Sequence, residues 1–173
     1  MAEQQRRKTV TIEDARVMFR NFSGKEGTYN KAGDRNFVVF IDDELAQLMV
    51  EDDWNVKVLK PREEDDSPQA YIEVAVNFKG PRPPRVVMIT SRGRTNLGEE
   101  DVNILDWAEI ENVDLIITPY HWNVNGKTGV KAYLQSFFVT IREDELDLKY
   151  AGVPDAPDSA QNTFGASFEF GDE

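Results

Sequence analysis

Along most of this chain apolar residues alternate with polar ones at a period of two, the signature of β-strands with one face buried. Arg16 to Phe22 alternates, as do Asn36 to Ile41 and Trp54 to Leu59. Tyr71 to Phe78 places Ile72, Val74, Val76 and Phe78 on one face. Arg85 to Thr90 carries the apolar run Val86-Val87-Met88-Ile89. The two longest strand candidates are Val113 to Trp122 and Val130 to Ile141. Between them lies NVNGKTG, Asn123 to Gly129, whose central Asn-Gly is a strong hairpin signal. Two segments break the alternation. Asp42-Asp43-Glu44 opens a helix over Glu44 to Val50, with acids where the helix dipole favours them. Glu99 to Glu109 is a second helix candidate, with Val102, Leu105 and Trp107 for packing.

Several short strands, with a helix just before the final strand pair, predict a mainly β fold: an OB-fold-like five-stranded barrel with added strands and two short helices. A β-sandwich is the rival architecture. Pro61 to Pro68 (PREEDDSP) reads as an acidic loop, and Gly80 to Pro84 (GPRPP) as a stiff, extended, basic one. After Tyr150 the pattern fails. Ala151 to Glu173 has no Lys or Arg, five acids, and Phe164, Phe168 and Phe170 among Gly, Ala, Ser and Asn. It is too short and too interrupted to fold alone. The chain therefore divides into a domain over residues 1–150 and a flexible acidic, aromatic tail over residues 151–173.

Composition narrows the class of function. The 173 residues carry a net charge of −12, of which −5 sits in the tail, leaving the body at −7. An acidic body argues against indiscriminate duplex binding and against anionic membrane surfaces, but local basic patches remain open to a polyanion. There is no cysteine, which excludes disulfides, thiolate metal sites and a Cys nucleophile. Met1 to Lys8 lacks the apolar run of a signal peptide, and no apolar run is long enough to span a bilayer. A soluble protein of the cytoplasm is expected.

Against that acidic background the cations cluster. Lys79, Arg82, Arg85, Arg92 and Arg94 occupy a stretch with no acid. Arg16, Arg20, Lys25, Lys31 and Arg35 gather near the N-terminus, and the hairpin adds Lys127 and Lys131. Single strands are held by base stacking on aromatic rings inside basic grooves, at about 1–3 kcal/mol per base. Tyr120 and Trp122 lie two apart and share a strand face, and Tyr133 sits in the partner strand near Lys131. Phe22 and Tyr29 flank the Gly-rich loop NFSGKEGTYNKAGDR. Phe19, Phe37, Phe78 and Phe138 are read as core. The candidate DNA-binding set is thus Arg20, Phe22, Lys25, Tyr29, Arg35, Lys79, Arg82, Arg85, Arg92, Arg94, Tyr120, Trp122, Lys127, Lys131 and Tyr133.

Catalytic readings are weaker. The lone His121 has no nucleophile arrangement to serve. The runs Asp42-Asp43-Glu44, Glu51-Asp52-Asp53, Glu63 to Asp66 and Glu143 to Asp147 are the only material for a Mg²⁺-dependent nuclease, and adjacent acids of this kind are usually solvated surface. No phosphate loop, dinucleotide fingerprint or zinc spacing is present. No cofactor, metal or enzymatic activity is expected.

The order of RVMFRNFSG, GDRNFVVFIDDELAQLMVEDDWNVK and VDLIITPYHWNVNGKTGVKAYLQSFFVTI, followed by an acidic aromatic tail, resembles the OB-fold single-stranded DNA-binding proteins of tailed bacteriophages. The resemblance implies a non-catalytic protein that coats single-stranded DNA during phage replication, recombination or repair in the host cytoplasm. It also implies a tail that recruits replication or recombination proteins or competes with DNA for the groove. Phe164, Phe168, Phe170, Asp172 and Glu173 are the tail's candidate contacts. Bacterial tails of this kind end in several Asp followed by Pro-Phe, whereas here Gly171-Asp172-Glu173 follows Phe170. The alternative function is a protein-interaction module that holds a basic partner on the acidic surface.

Overall fold

The computed structural model describes residues 9–28, 30–60, 67–154 and 156. Contacts divide the chain after Arg142. The first unit contains β1 (Val10–Ile12), β2 (Val17–Asn21), β3 (Arg35–Phe40), α1 (Asp43–Glu51), β4 (Val56–Leu59), β5 (Gln69–Val76), β6 (Arg85–Thr90), β7 (Gly93–Leu97), a 3₁₀ helix (Val102–Asp106), β8 (Ile110–Val124) and β9 (Lys127–Ile141). In the second unit the described residues form one short helix, α2 (Glu145–Lys149). Asp144 caps α2, its carboxylate accepting from the Asp147 N–H at 2.8 Å. The tail expectation for residues 151–173 lies almost wholly outside the described residues.

The mainly β, OB-like fold is what the structure shows, built as an open mixed sheet. Its hydrogen-bonded path runs β1-β8-β9-β5-β3-β2, with β4 added to β5, and β6 joining β9 to β7. Two strands are shared lengthwise between partners. β9 pairs in parallel with β5 at Ala132 and Tyr133, and with β6 from Ser136 to Thr140. β5 meets β3 along one edge, while its other edge is divided between β4 and β9.

The β8–β9 hairpin is the longest feature, and its sequence explains its form. Asn125 and Gly126 have φ of 53° and 81°, the pair of positive values that a tight hairpin turn requires. Residues equidistant from that turn face each other: Val124 with Lys127, Trp122 with Gly129, Tyr120 with Lys131 and Thr118 with Tyr133. One face of this ladder, Val130, Ala132 and Leu134 with Ile117, is buried. Beneath it the rings of Phe22, Phe37 and Phe137 meet at centroid distances of 5.3–5.4 Å. The core fills one side of the sheet, so the opposite face of the hairpin is left to solvent.

Three elements of the first unit and one side chain differ from expectation. β1 and β7 were not foreseen, since VTI is short and GRTNL lacks alternation; both are fixed by ladders to β8 and β6. The helix expected over Glu99 to Glu109 is a short 3₁₀ helix, Val102–Asp106, and the side chain of the preceding Asp101 makes no capping bond. The Asp106 carboxylate instead accepts from the backbone N–H groups of Phe22 and Ser23. Phe19, expected in the core, is 70% exposed at φ 52°, because the β2–β3 register shifts between Met18 and Asn21.

Candidate nucleic-acid interface

The outward face of the hairpin carries a cluster of aromatic and basic residues. Tyr120 is 55% exposed and meets Tyr133 edge-on, with centroids 5.6 Å apart and an interplanar angle of 87°. The Lys131 ammonium lies 5.4 Å from the centre of the Tyr133 ring, a cation–π arrangement. The Thr118 hydroxyl donates to Gln135 Oε1 at 2.8 Å across the two strands. This polar pair completes a floor that begins at Trp122 and continues through Tyr120, Lys131 and Tyr133.

One wall of the cleft is the proline-rich loop after β5. Pro81, Pro83 and Pro84 restrict the backbone, and Pro84 is buried, so the loop is anchored at its end. Arg82 is thereby presented over the floor. Thr118, Tyr120, Tyr133, Gln135, Asn77 and Arg82 line an open cleft of about 840 Å³. Arg85 continues the line along β6, its guanidinium 5.2 Å above the Phe138 ring. Phe138 was read as core; it lies half-buried under Arg85, since Phe137 beside it takes the inward direction.

The other predicted site residues separate into distinct groups. Lys79, Arg94, Lys25 and Lys127 are exposed, as is Arg92, which has internal interactions of its own. Tyr29 lies outside the described residues, as do Phe164, Phe168, Phe170, Asp172 and Glu173. Phe22 cannot offer a stacking surface: it is wholly buried between Phe37 and Phe137. Arg20 directs Nη1 to the carbonyl oxygens of Leu105 and Ala108, both at 2.8 Å. Arg35 donates to the Phe22 carbonyl at 2.9 Å, pairs with Glu99 at 3.2 Å and lies over Phe78. Arg20 and Arg35 hold the Gly-rich segment to its neighbours, and their charges are not presented with those of the cleft.

Sequence reasoning missed Asn77, Thr118 and Gln135, which are small polar residues with no individual signal. Thr118 was within reach, since counting back from Asn125-Gly126 puts it opposite Tyr133. Asn77 belongs to the cleft through the parallel β5–β9 pairing, which no local pattern announces.

Exposed rings spaced between cations on a sheet face are the working surface of proteins that bind single-stranded nucleic acid. The comparisons with known proteins agree with that class. A family described as "Putative phage ssDNA-binding domain" matches residues 1–169, and the chain belongs to this family of phage single-stranded DNA-binding proteins. Among solved structures, the chain is similar to the single-stranded DNA-binding protein of bacteriophage Enc34 in complex with ssDNA. That likeness has 10% identity, 79% of this chain and 88% of that one covered, and a TM-score of 0.54. A second structure of the Enc34 protein aligns at 9% identity over 79% of this chain and 82% of that one, with a TM-score of 0.52. At such identities the likeness is one of fold. A search of curated protein sequences finds no match.

Proposed function

We propose that this chain binds single-stranded DNA without sequence preference and acts, without catalysis, in phage DNA replication, recombination or repair in the host cytoplasm. The observation that carries the reading is the cleft on the outward face of β8 and β9. There Tyr120, Tyr133 and Arg82 line the cleft and Lys131 lies against Tyr133, on a side of the sheet the core does not use. Every base has a π-face, so rings of this kind accept any sequence. Lys131, Arg82, Arg85 and Arg94 would neutralise phosphates, with Lys79 and Lys127 at the margins, and affinity would fall steeply with salt. Trp122, next to Tyr120 on the same face, extends the row.

Among the described residues no three His, Cys, Asp or Glu side chains gather as a metal ion would require, although Glu63 to Asp66 lie outside them. No described helix is long and apolar enough to cross a membrane. In this reading residues 1–150 are the binding domain and residues 151–173 an acidic tail that competes for the cleft or recruits replication proteins.

The decisive test is a mobility shift with single-stranded and duplex DNA at two salt concentrations. The expected result is a salt-sensitive preference for the single strand; binding to neither would remove the proposal. Ending the chain after Tyr150 should then tighten binding to oligo-dT and make it less salt-sensitive, because a tethered competitor acts at high effective concentration. Unchanged affinity would leave the tail only the recruiting role.

A further inference from the structure

We propose that Gly129 is a positioning residue for a nucleobase platform: by lacking a side chain it lets the Trp122 indole lie down on β9, where the indole stacks one base at the turn end of the cleft. This rests on the reading of the cleft as a single-strand site and adds to it the residue that sets where the row of rings begins.

The geometry is specific. Gly129 faces Trp122 directly across the β8–β9 ladder. A Cβ built on Gly129 would stand 2.7 Å from Cζ2, 2.8 Å from Cε2 and 3.0 Å from Nε1 of the indole. Contacts that short are not tolerated, and a whole ring system cannot yield as the tip of a flexible chain can. The backbone itself does not call for glycine. Gly24, Gly33, Gly93 and Gly126 have positive φ, and Gly129 is not among them. An alanine would suit its strand conformation, so the contact with the indole is what the absent side chain serves. A strand glycine covered by a cross-strand aromatic ring is a known stabilising pairing. Here it has a second consequence: it fixes a large flat ring in register with Tyr120, two residues further along the same strand face.

Tyr120 is in turn held edge-on by Tyr133, and Lys131 lies against Tyr133. The three rings therefore form one row with a defined start. An indole pushed off Gly129 would no longer align with that row.

The test is a double-mutant cycle on the full chain, measured by anisotropy of a labelled oligo-dT at low salt. Trp122→Ala should weaken binding by roughly 5- to 150-fold, the range of a lost stacking contact. Gly129→Ala should weaken it by about threefold or more, and should add nothing in the Trp122→Ala background, since the two act through one ring. Wild-type affinity in either single variant would overturn the proposal. So would an equal loss from Gly129→Ala whether or not Trp122 is present. If Gly129→Ala fails to unfold cooperatively, adding Trp122→Phe should restore folding, because the smaller ring leaves room for the methyl group; no restoration would also overturn it. Failure of the wild-type protein to bind at all would remove the single-strand reading itself, a result distinguishable from these.

Discussion

Two regions of this protein are built from the same residue types and do opposite things with them. Around the start of β3, Phe22, Arg20 and Arg35 combine an aromatic ring with two guanidinium groups. Around the middle of the β8–β9 hairpin, Tyr120, Tyr133, Lys131 and Arg82 combine two rings with an ammonium and a guanidinium. In the first region the ring is in the core and each guanidinium is bonded to backbone carbonyls of its neighbours. In the second the rings meet edge-on at the surface and the cations lie beside or above them. A cation whose donors are already used by the fold cannot exchange them for phosphate without leaving buried carbonyls unpaired. The first region is thus a clasp and the second an interface.

The difference can be broken or sharpened by substitution, and the largest effect should come from the clasp. Phe22→Ala empties the centre of the ring cluster and should cost about 3–5 kcal/mol of stability. Chemical denaturation reads this loss, while the protein that remains folded should bind oligo-dT nearly as before. A large affinity loss without a stability loss would move Phe22 into the interface. Arg20→Ala leaves the Leu105 and Ala108 carbonyls without their donor and should cost about 1.5–3 kcal/mol of stability, the scale of hydrogen bonds to a charged group. Lysine should not rescue it, because a single ammonium does not reproduce the guanidinium's fixed geometry.

The interface should answer in the other currency. Tyr120→Ala should weaken single-strand binding by about 1–3 kcal/mol with the unfolding midpoint close to wild type. If stability falls and affinity does not, Tyr120 belongs with the packing residues. The smallest effect should be that of Lys131→Ala. Removing one phosphate contact should lower the slope of log affinity against log salt by about 0.7 in magnitude, measured by titration across several salt concentrations. An unchanged slope would mean that Lys131 serves Tyr133 alone.

How much of this was legible beforehand depends on whether the signal is local. The Asn125-Gly126 turn specifies its own φ values, and with them the register that places Tyr120 opposite Lys131. The alternation of Ile72, Val74 and Val76 identifies the inward face of β5, and all three are buried. The acids before α1 mark its start, where Asp42 caps the helix by accepting from the Leu45 N–H at 2.7 Å. Phe19 and Phe22 show the limit. They lie in one alternating segment, and a register shift between Met18 and Asn21 turns one ring outward while the other is buried. No residue in RVMFRNFSG announces that shift, because it is set by pairing with β3. The 3₁₀ turn is similar: Asp106 serves Phe22 and Ser23 rather than a longer helix, and that demand arises 84 and 83 residues away.

The sequence by itself determined the mainly β class, the long hairpin with its register, and the types of residue available for a single strand, because each follows from periodicity or turn chemistry over a few positions. Only the tertiary structure decided which of those residues form the site. Burial and hydrogen bonding are properties of neighbours brought together by the parallel pairing of β9 with β5 and β6. That pairing carries Arg82 and Asn77 to Tyr133, and Arg85 to Phe138, while Arg20 and Arg35 are bonded to the segment between β7 and β8.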